Sequence, residues 1–179
     1  MILGTDILLK LVKEQRLVEN LSERELNNPE GAGFDFRLKE MYRIKGSAFL
    51  GVNERQTPDV ETVASFEGGM PKTFTLQPGE YYLMKTMEKV NTPENIVISF
   101  KPRTTTFRSG LVLRTGNAAP GYKGELIFGI KNDGPVPVTL EMGCRIAHAQ
   151  FHTVEGSANK YKGQWQGGRV TTEGREMQM

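Results

Sequence analysis

Residues 102–122 read PRTTTFRSGLVLRTGNAAPGY, and this stretch carries the strongest signal in the chain. Arg103 and Arg108 enclose three consecutive threonines. The guanidinium fork matches the oxygens of a phosphate, and hydroxyl groups add neutral donors. A short apolar run and a glycine-containing segment follow, which predicts a strand that leads into a tight turn. We therefore expect an anion site beside a hairpin, with the phosphate chain of a nucleotide as its ligand.

The chain around this stretch consists of short runs separated by Gly, Pro and Asn. Eight of these runs are predicted to be strands: residues 34–44, 73–76, 81–87, 96–100, 110–114, 124–131, 136–140 and 145–151. Strands at this spacing are typical of a barrel or a sandwich. Because glycine accepts positive φ and proline fixes φ, turns are predicted at residues 77–80 and 132–135.

The two ends of the chain have a different composition. Residues 5–15 carry apolar side chains at helical spacing, with Thr5 as the cap candidate, so one amphipathic helix is predicted. Residues 22–29 are polar and stop at a proline, which predicts a loop or one short helical turn. Residues 157–179 are rich in glycine and basic side chains. Two interpretations of this tail stay open: closure over a bound anion, or a solvated, flexible segment after Arg169.

Length and composition predict a single domain. We divide the 179 residues into a helical segment 1–20, a barrel 33–156 and the tail 157–179. Hydrophobic residues at 37% and charged residues at 25% are ordinary for a globular protein. A net charge of +2 does not favour binding of a nucleic acid polymer, so any phosphate site has to be local.

The single cysteine, Cys144, excludes an internal disulfide, and the chain lacks the cysteine pairs of the zinc deaminase signature. No apolar run reaches the roughly 18 residues of a membrane span, and no signal peptide is recognised. We expect a cytoplasmic protein without a membrane partner. His148 and His152 are four residues apart, but on a strand that spacing is about 13 Å, too far for one metal. No metal site is predicted.

The stretch 102–122 resembles the phosphate-binding Arg-Ser-Ser segment of the dCTP deaminase and dUTPase superfamily. The matching positions are Arg103, Thr104, Thr105 and Arg108. Residues 31–38 (GAGFDFRL), 116–124 and 143–147 (GCRIA) are similar to the family's first, hairpin and fourth motifs. The likeness runs nearly end to end, and the tail sequence KYKGQ at 160–164 is closer to the deaminase branch.

The resemblance implies an all-β, distorted jelly-roll barrel with a short amino-terminal helix and a flexible, Gly-rich carboxy-terminal tail. It also implies a homotrimer with sites between subunits, a pyrimidine deoxynucleoside triphosphate as ligand, and Mg²⁺ carried by the triphosphate. The arginines and threonines above would bind phosphates. The residues expected to face sugar and base are Asn117, Ala118, Ala119, Gly121 and Tyr122. Those expected to close from the tail are Lys160, Tyr161 and Gln164.

The catalytic acids of the family have no counterpart in the simplest register. The deaminases use a glutamate on the strand after the hairpin as general base, and Gly129 stands there. The triphosphatases use an aspartate in the hairpin, and Ala119 stands there. Glu125 shares a strand face with Gly129 but lies about 13 Å away, so it is a weak substitute. A slip in register would bring another acid forward, and the catalytic residues stay unassigned.

Several candidates also have an ordinary structural interpretation. The two arginines are compatible with surface ion pairs, and the threonines with plain strand residues. Asp35 is expected to be a structural hydrogen-bond acceptor. Trp165 is a candidate either for stacking on a base or for packing on the barrel. Glu125 and Asp133 are most simply solvated hairpin charges.

Three function classes are compatible with the sequence. The first is an enzyme that processes pyrimidine deoxynucleoside triphosphates, by deaminating dCTP, by hydrolysing dUTP, or both. The second is a catalytically impaired homologue that binds or senses these nucleotides, because loss of a general base costs about 10²–10⁴-fold in rate without abolishing binding. The third is a structural trimer without a ligand, which the clustered arginines disfavour.

Overall fold

A computed structural model describes residues 1–67 and 72–178. The helices are α1 Thr5–Gln15, α2 Glu23–Asn27 and α3 Thr104–Arg108. The strands are β1 Val18–Glu19, β2 Phe34–Lys45, β3 Phe49–Leu50, β4 Glu54–Gln56, β5 Asp59–Ser65, β6 Thr73–Leu76, β7 Tyr81–Asn91, β8 Ile96–Pro102, β9 Leu111–Arg114, β10 Lys123–Asn132, β11 Val138–Glu141, β12 Arg145–Thr153 and β13 Glu176–Met177.

One large antiparallel sheet forms the body of the molecule. Its strand order is β8-β12-β2-β7-β10-β9, with β1 paired to β7 and β5 paired to β2. Bulges interrupt the register of β2, β10 and β12. A bulge bends its strand and increases the local twist, so these irregularities curl the sheet into a barrel-like form. Two smaller sheets, β11-β6 and β13-β4-β3, complete the described structure.

Alternating burial along β7 and β10 separates a core face from an outer face. On β7, Met84 and Val90 are fully buried, whereas Leu83 is partly exposed. On β10, Phe128 is buried in the core, whereas Ile127 lies on the opposite face and is partly exposed. Side chains of a strand alternate between faces, so one set fills the barrel and the other lies on its outer face.

The all-β prediction is confirmed, and each of the eight predicted runs contains an observed strand. The amino-terminal helix is also present, but the Thr5 cap is wrong: Thr5 is the first helical residue, and Gly4 is the N-cap without a side-chain hydrogen bond. The predicted short helical turn is α2, capped by Ser22, whose hydroxyl accepts from the Glu25 amide at 3.4 Å. None of the helices in residues 1–67 and 72–178 has the length and apolarity of a membrane span.

The tail is docked on the barrel rather than solvated up to residue 178. Thr172 is buried, and its hydroxyl accepts from the Thr57 amide at 3.0 Å, while the Thr172 amide donates to the Thr57 hydroxyl at 2.9 Å. Strand β13 then pairs with β4. This docking corrects the expectation of a solvated, flexible segment after Arg169, whereas closure over a bound anion stays a prediction. Met179 lies outside the described residues.

Candidate functional site

A cavity of about 430 Å³ lies between the hairpin at residues 116–122, the outer part of β10 and the tail. We call it the hairpin cavity. Its lining residues come from six segments of the chain: Thr57, Leu83, Phe100, Gly116, Asn117, Ala118, Tyr122, Leu126, Ile127, Phe128, Tyr161, Trp165, Arg169 and Val170. A concave, largely apolar and aromatic pocket with a few polar groups is the usual form of a small-molecule site.

Local backbone geometry fixes the hairpin that forms one wall. The Ala118 amide and carbonyl exchange hydrogen bonds with Ile98 of β8 at 2.9 and 3.0 Å. Gly121 has φ +81, a value that side chains other than glycine's rarely adopt, and its amide donates to the Thr92 carbonyl at 3.0 Å. The Tyr122 amide closes the turn by donating to Ala119 at 3.0 Å. The hairpin is thus held in place without a ligand.

The tail of the same chain covers this hairpin. The Tyr161 amide donates to the Pro120 carbonyl at 2.7 Å, and the Gly167 amide donates to Lys123 at 2.8 Å. The Gln166 side chain accepts from the Lys123 amide at 2.9 Å and donates to the Gly121 carbonyl at 3.1 Å. These contacts bring Tyr161 and the following residues over the cavity.

The hairpin cavity is electrostatically quiet. None of its described lining residues is a carboxylate, and the one lining cation, Arg169, is paired with Glu176 at 3.0 Å. Burial raises the pKa of Tyr122 to about 12, so this phenol stays neutral, and its hydroxyl donates to the Glu125 carbonyl at 2.7 Å. Such a surface suits a neutral, planar group better than a charged one.

A second cavity, of about 310 Å³, is charged. It is lined by Glu30, Asp35, Pro102, Arg103, Thr104 and His148. Asp35 forms an ion pair with Arg103 Nε at 2.7 Å and accepts hydrogen bonds from Arg145 Nη1 and His148 Nδ1, both at 3.0 Å. We call these four residues the Asp35 cluster. The prediction that Asp35 is a structural acceptor is confirmed by these contacts.

The electrostatics of the Asp35 cluster favour the carboxylate form of Asp35. Burial works to raise the pKa of this carboxyl, but the hydrogen bond from His148 and the charges of Arg103 and Arg145 outweigh burial and lower it. His148 therefore contacts a carboxylate in this chain. His152 lies on the same strand and contacts the Ser99 hydroxyl at 2.8 Å instead, so the two histidines serve separate partners.

The threonines of the motif form helix α3, which corrects their interpretation as strand residues. Arg103 is the N-cap of this helix, and Thr106 is buried with its hydroxyl donating to the Ile146 carbonyl at 3.0 Å. That contact anchors the helical turn to β12 and leaves Thr104 and Thr105 exposed. The strand preference of threonine is a weak propensity, and a tertiary hydrogen bond overrides it here.

The structure divides the sequence-predicted binding residues between the two cavities. Those that line the hairpin cavity are Asn117, Ala118, Tyr122 and Tyr161, and those that line the second cavity are Arg103 and Thr104. Four further predicted residues line neither cavity. Two of them, Ala119 and Gly121, belong to the hairpin, and the other two, Thr105 and Arg108, belong to α3. The two arginines thus do not share one cavity within this chain, contrary to the expectation of a single anion site.

Two tail residues have partners outside both cavities. Lys160 pairs with Glu94 at 2.6 Å, and both side chains are exposed. Gln164 accepts from Arg55 and donates to Glu176 at 2.8 Å, which ties the tail to β4. Neither residue lines the hairpin cavity in this chain.

The structure also shows the surroundings of the three residues considered for catalysis, Gly129, Glu125 and Asp133. Gly129 is buried on β10 opposite Leu83. Glu125 pairs with Lys39 at 2.5 Å and Lys85 at 3.1 Å; burial works to raise its pKa, but the hydrogen bonds of both lysines outweigh burial and hold that pKa low. Asp133 is exposed and pairs with Lys131 at 2.6 Å. Within residues 1–67 and 72–178, no cluster of three His, Cys, Asp or Glu side chains is placed to hold a metal.

A family model described as dCTP deaminase-like matches residues 2–154. The chain belongs to the dCTP deaminase-like family. A probable deoxyuridine 5'-triphosphate nucleotidohydrolase from Methanothermobacter thermautotrophicus is 34% identical over 135 residues, covering 75% of this chain and 85% of that relative. A dCTP deaminase from Pyrococcus furiosus is 29% identical over 157 residues, covering 87% and 88%.

Solved structures agree on the fold of this family member. A 2'-deoxycytidine 5'-triphosphate deaminase from Agrobacterium tumefaciens superimposes with a TM-score of 0.65 at 19% sequence identity. The match covers 84% of this chain and 46% of the Agrobacterium chain. The jelly-roll expectation drawn from the sequence is thereby confirmed for the barrel.

Sequence reasoning missed part of the hairpin cavity. Thr57, Arg169 and Val170 lie far from the motifs in sequence and reach the cavity only because the tail docks on β4. Trp165, for which base stacking and barrel packing were both open, lines the cavity and lies under the Arg55 guanidinium, 5.2 Å from its ring centroid. The sequence singled out this residue only in that it is the one tryptophan of the chain.

Proposed function

We propose that this family member acts on pyrimidine deoxynucleoside triphosphates, as a processing enzyme of the dCTP deaminase and dUTPase type. The observation that carries the proposal is the largely apolar, aromatic hairpin cavity of about 430 Å³, together with the guanidinium and hydroxyl groups of residues 103–108 at α3. A nucleotide needs both surfaces, because its base is flat and neutral and its phosphates are anionic. The single cysteine suits a reducing, cytoplasmic setting for this activity.

The hairpin cavity would hold the base and sugar. Tyr122 and Tyr161 lie edge to face with ring centroids 5.4 Å apart, and Trp165 adds a third aromatic surface. Asn117 offers an amide that both donates and accepts, which suits the hydrogen-bonding edge of a pyrimidine.

The triphosphate would be bound by Arg103, Thr104, Thr105 and Arg108, whose hydroxyl and guanidinium groups lie on or beside α3. The hairpin cavity and the second cavity have no lining residue in common. We therefore propose that one nucleotide is bound between two subunits of a homotrimer, with the hairpin cavity of one subunit and the α3 region of its neighbour. Such a division is compatible with the closed symmetry of small homo-oligomers.

In this arrangement, Mg²⁺ would be bound to the triphosphate of the nucleotide. The described residues offer no carboxylate cage for it, whereas Mg²⁺ commonly binds through substrate phosphates and few protein ligands. The ion would neutralise phosphate charge next to the arginines. This chain's own contribution is to bind and orient the phosphates.

A second candidate function is nucleotide binding with little turnover. It is favoured by two observations: none of the described lining residues of the hairpin cavity is a carboxylate, and glycine and alanine stand at positions 129 and 119. A positioned general base contributes about 10²–10⁴-fold to a rate. This candidate predicts tight binding without products.

One experiment separates the two candidates. The protein is incubated with dCTP, dUTP, dTTP and dATP in Mg²⁺, ammonia and pyrophosphate release are followed, and thermal unfolding is measured in parallel. Ammonia identifies a deaminase and pyrophosphate a triphosphatase. A rise in unfolding temperature without products identifies a binder, because a ligand of the native state raises apparent stability. If no nucleotide produces a shift or a product, the proposal is wrong.

A further inference from the structure

The phenol of Tyr81 fills the space at which the neighbouring strand β10 lacks a side chain. A Cβ atom at Gly129 would lie 2.1 Å from the Tyr81 hydroxyl oxygen and 2.9 Å from its ring carbon Cζ. Real Cβ atoms do not approach other atoms so closely, so the Tyr81 side chain fills the space above Gly129.

The strand register aims this phenol towards the cavity. Tyr81 is paired with Lys131, and Leu83 is paired with Gly129. The Tyr81 hydroxyl, however, lies over Gly129. The Tyr81 ring therefore runs along the outer face from its own position to that of Leu83. Directly paired residues have Cβ atoms about 5 Å apart, so the hydroxyl is next to Leu83, which lines the cavity together with Ile127.

The Tyr81 hydroxyl makes no hydrogen bond to another residue in 1–67 or 72–178. Tyr122, by contrast, uses its hydroxyl on the Glu125 carbonyl. A phenol both donates and accepts one hydrogen bond, and at the edge of an apolar pocket a free one is a suitable partner for a ligand.

We propose that the Tyr81 hydroxyl contacts the base of the bound nucleotide and allows the cavity to accept either an amino or a carbonyl group on the pyrimidine ring. The proposal rests on the function proposed above and adds its base-contacting residue. A hydroxyl that donates to a ring carbonyl and accepts from a ring amine serves cytosine and uracil alike. The contact requires that residue 129 has no side chain.

The test measures binding calorimetrically with three probes in Mg²⁺: the α,β-imido forms of dUTP and dCTP, and inorganic tripolyphosphate, which has no base. Tyr81→Phe removes only the hydroxyl. A neutral hydrogen bond is worth about 0.5–1.5 kcal/mol, so we expect about 2–10-fold weaker binding of both imido nucleotides and unchanged binding of tripolyphosphate. Tyr82→Phe is the matched control, because Tyr82 is the adjacent residue and is buried against Phe74 on the core side.

Gly129→Ala tests the same contact from the other strand. Its methyl group displaces the phenol without removing any polar group from the protein, so binding of both imido nucleotides should weaken as it does for Tyr81→Phe. Equal nucleotide affinities for the wild type, Tyr81→Phe and Gly129→Ala would overturn the inference. The inference would also be overturned if the variants lost tripolyphosphate binding as much as nucleotide binding, because the substitutions would then act on the phosphate site or on folding. A wild type that binds tripolyphosphate but neither nucleotide would instead refute the proposed function.

Discussion

The hairpin cavity and the Asp35 cluster differ in how their polar and charged groups are arranged. The cavity is assembled from backbone hydrogen bonds, aromatic rings and a tail segment, and its described lining contains no acid. The cluster places two arginines and a histidine around one buried carboxylate. The first region offers a largely apolar, aromatic surface. In the second, Arg103 and Arg145 are paired with Asp35, so a phosphate bound there, as proposed, would have to share or displace this internal partner.

This difference indicates how the two regions contribute to binding. Shape and hydrogen bonding in the cavity would set the preference for a base, whereas charge near α3 would supply affinity for phosphates. Asp35 orients Arg103 and compensates part of the positive charge of Arg103 and Arg145. Substitutions in the two regions should therefore have separable effects on stability and on binding.

The largest effect is expected in the cluster. Asp35→Asn removes the charge that three cationic or polar partners share, and breaking one side of a buried ion pair leaves the others uncompensated. We expect a loss of about 3 kcal/mol in the free energy of unfolding, measured by urea denaturation. Asp133→Asn is the control: that carboxylate is exposed beside Lys131, and its loss should have little effect on stability. Equal losses for the two variants would contradict the account.

The contribution of Asp35 should depend on pH with a defined sign. Its folded-state pKa lies below the ordinary value of 3.8, so its stabilisation is fully present above pH 3.8 and is lost as the pH falls through the lower folded-state pKa. The difference in unfolding free energy between wild type and Asp35→Asn should therefore shrink below pH 3.8. A difference that grows with acidification would show that the sign is wrong.

An intermediate effect is expected where β7 and β10 border the cavity. In the wild type, Gly129→Ala should cost about 2 kcal/mol, because its methyl group overlaps the Tyr81 phenol. In a Tyr81→Leu background the space is free, so the same substitution should be nearly neutral. Thermal or urea unfolding of the four proteins gives the coupling energy between the two positions. Purely additive effects would mean that the two side-chain positions do not compete for space.

The smallest effect is expected at the base of the tail. Thr172→Val leaves the Thr57 amide without its buried acceptor, at a cost of about 1 kcal/mol. It should also loosen residues 160–178 and increase their cleavage in limited proteolysis. Thr139→Val is a matched control, since Thr139 is exposed and contacts only the Thr75 hydroxyl. Cleavage of the tail at the same rate in both variants would contradict this role of Thr172.

The strands of the barrel were predictable because turns and alternation are local signals. The segment 49–65 gave no such signal, because β3 has only two residues and β4 and β5 are mostly polar. β3 and β4 belong to a small separate sheet, and β5 pairs with β2 off the main strand order, so all three strands were missed. Helix α3 was missed because its formation depends on the contact of Thr106 with Ile146, forty residues away. Motif reasoning selected the hairpin and the residues of α3, and several of these residues line the two cavities.

What the sequence did not reveal is how those parts are arranged. The tail reaches the cavity through Thr57 and Thr172, a pairing across more than a hundred residues that no local pattern encodes. The complementary sizes of Tyr81 and Gly129 are likewise invisible until the strand register is known. Cross-strand relationships of this kind are tertiary, and single-sequence reasoning does not reach them.

The central claim is that one nucleotide uses the hairpin cavity of one subunit and the α3 region of another. Subunit complementation tests it most directly: Arg103→Ala/Arg108→Ala and Asn117→Ala/Trp165→Ala proteins are prepared separately, confirmed to be folded, mixed and allowed to exchange. Each alone should bind α,β-imido dUTP weakly, and the mixed oligomers should regain tight sites, because some interfaces then combine two intact halves. A mixture that binds no better than the average of its components would contradict the claim.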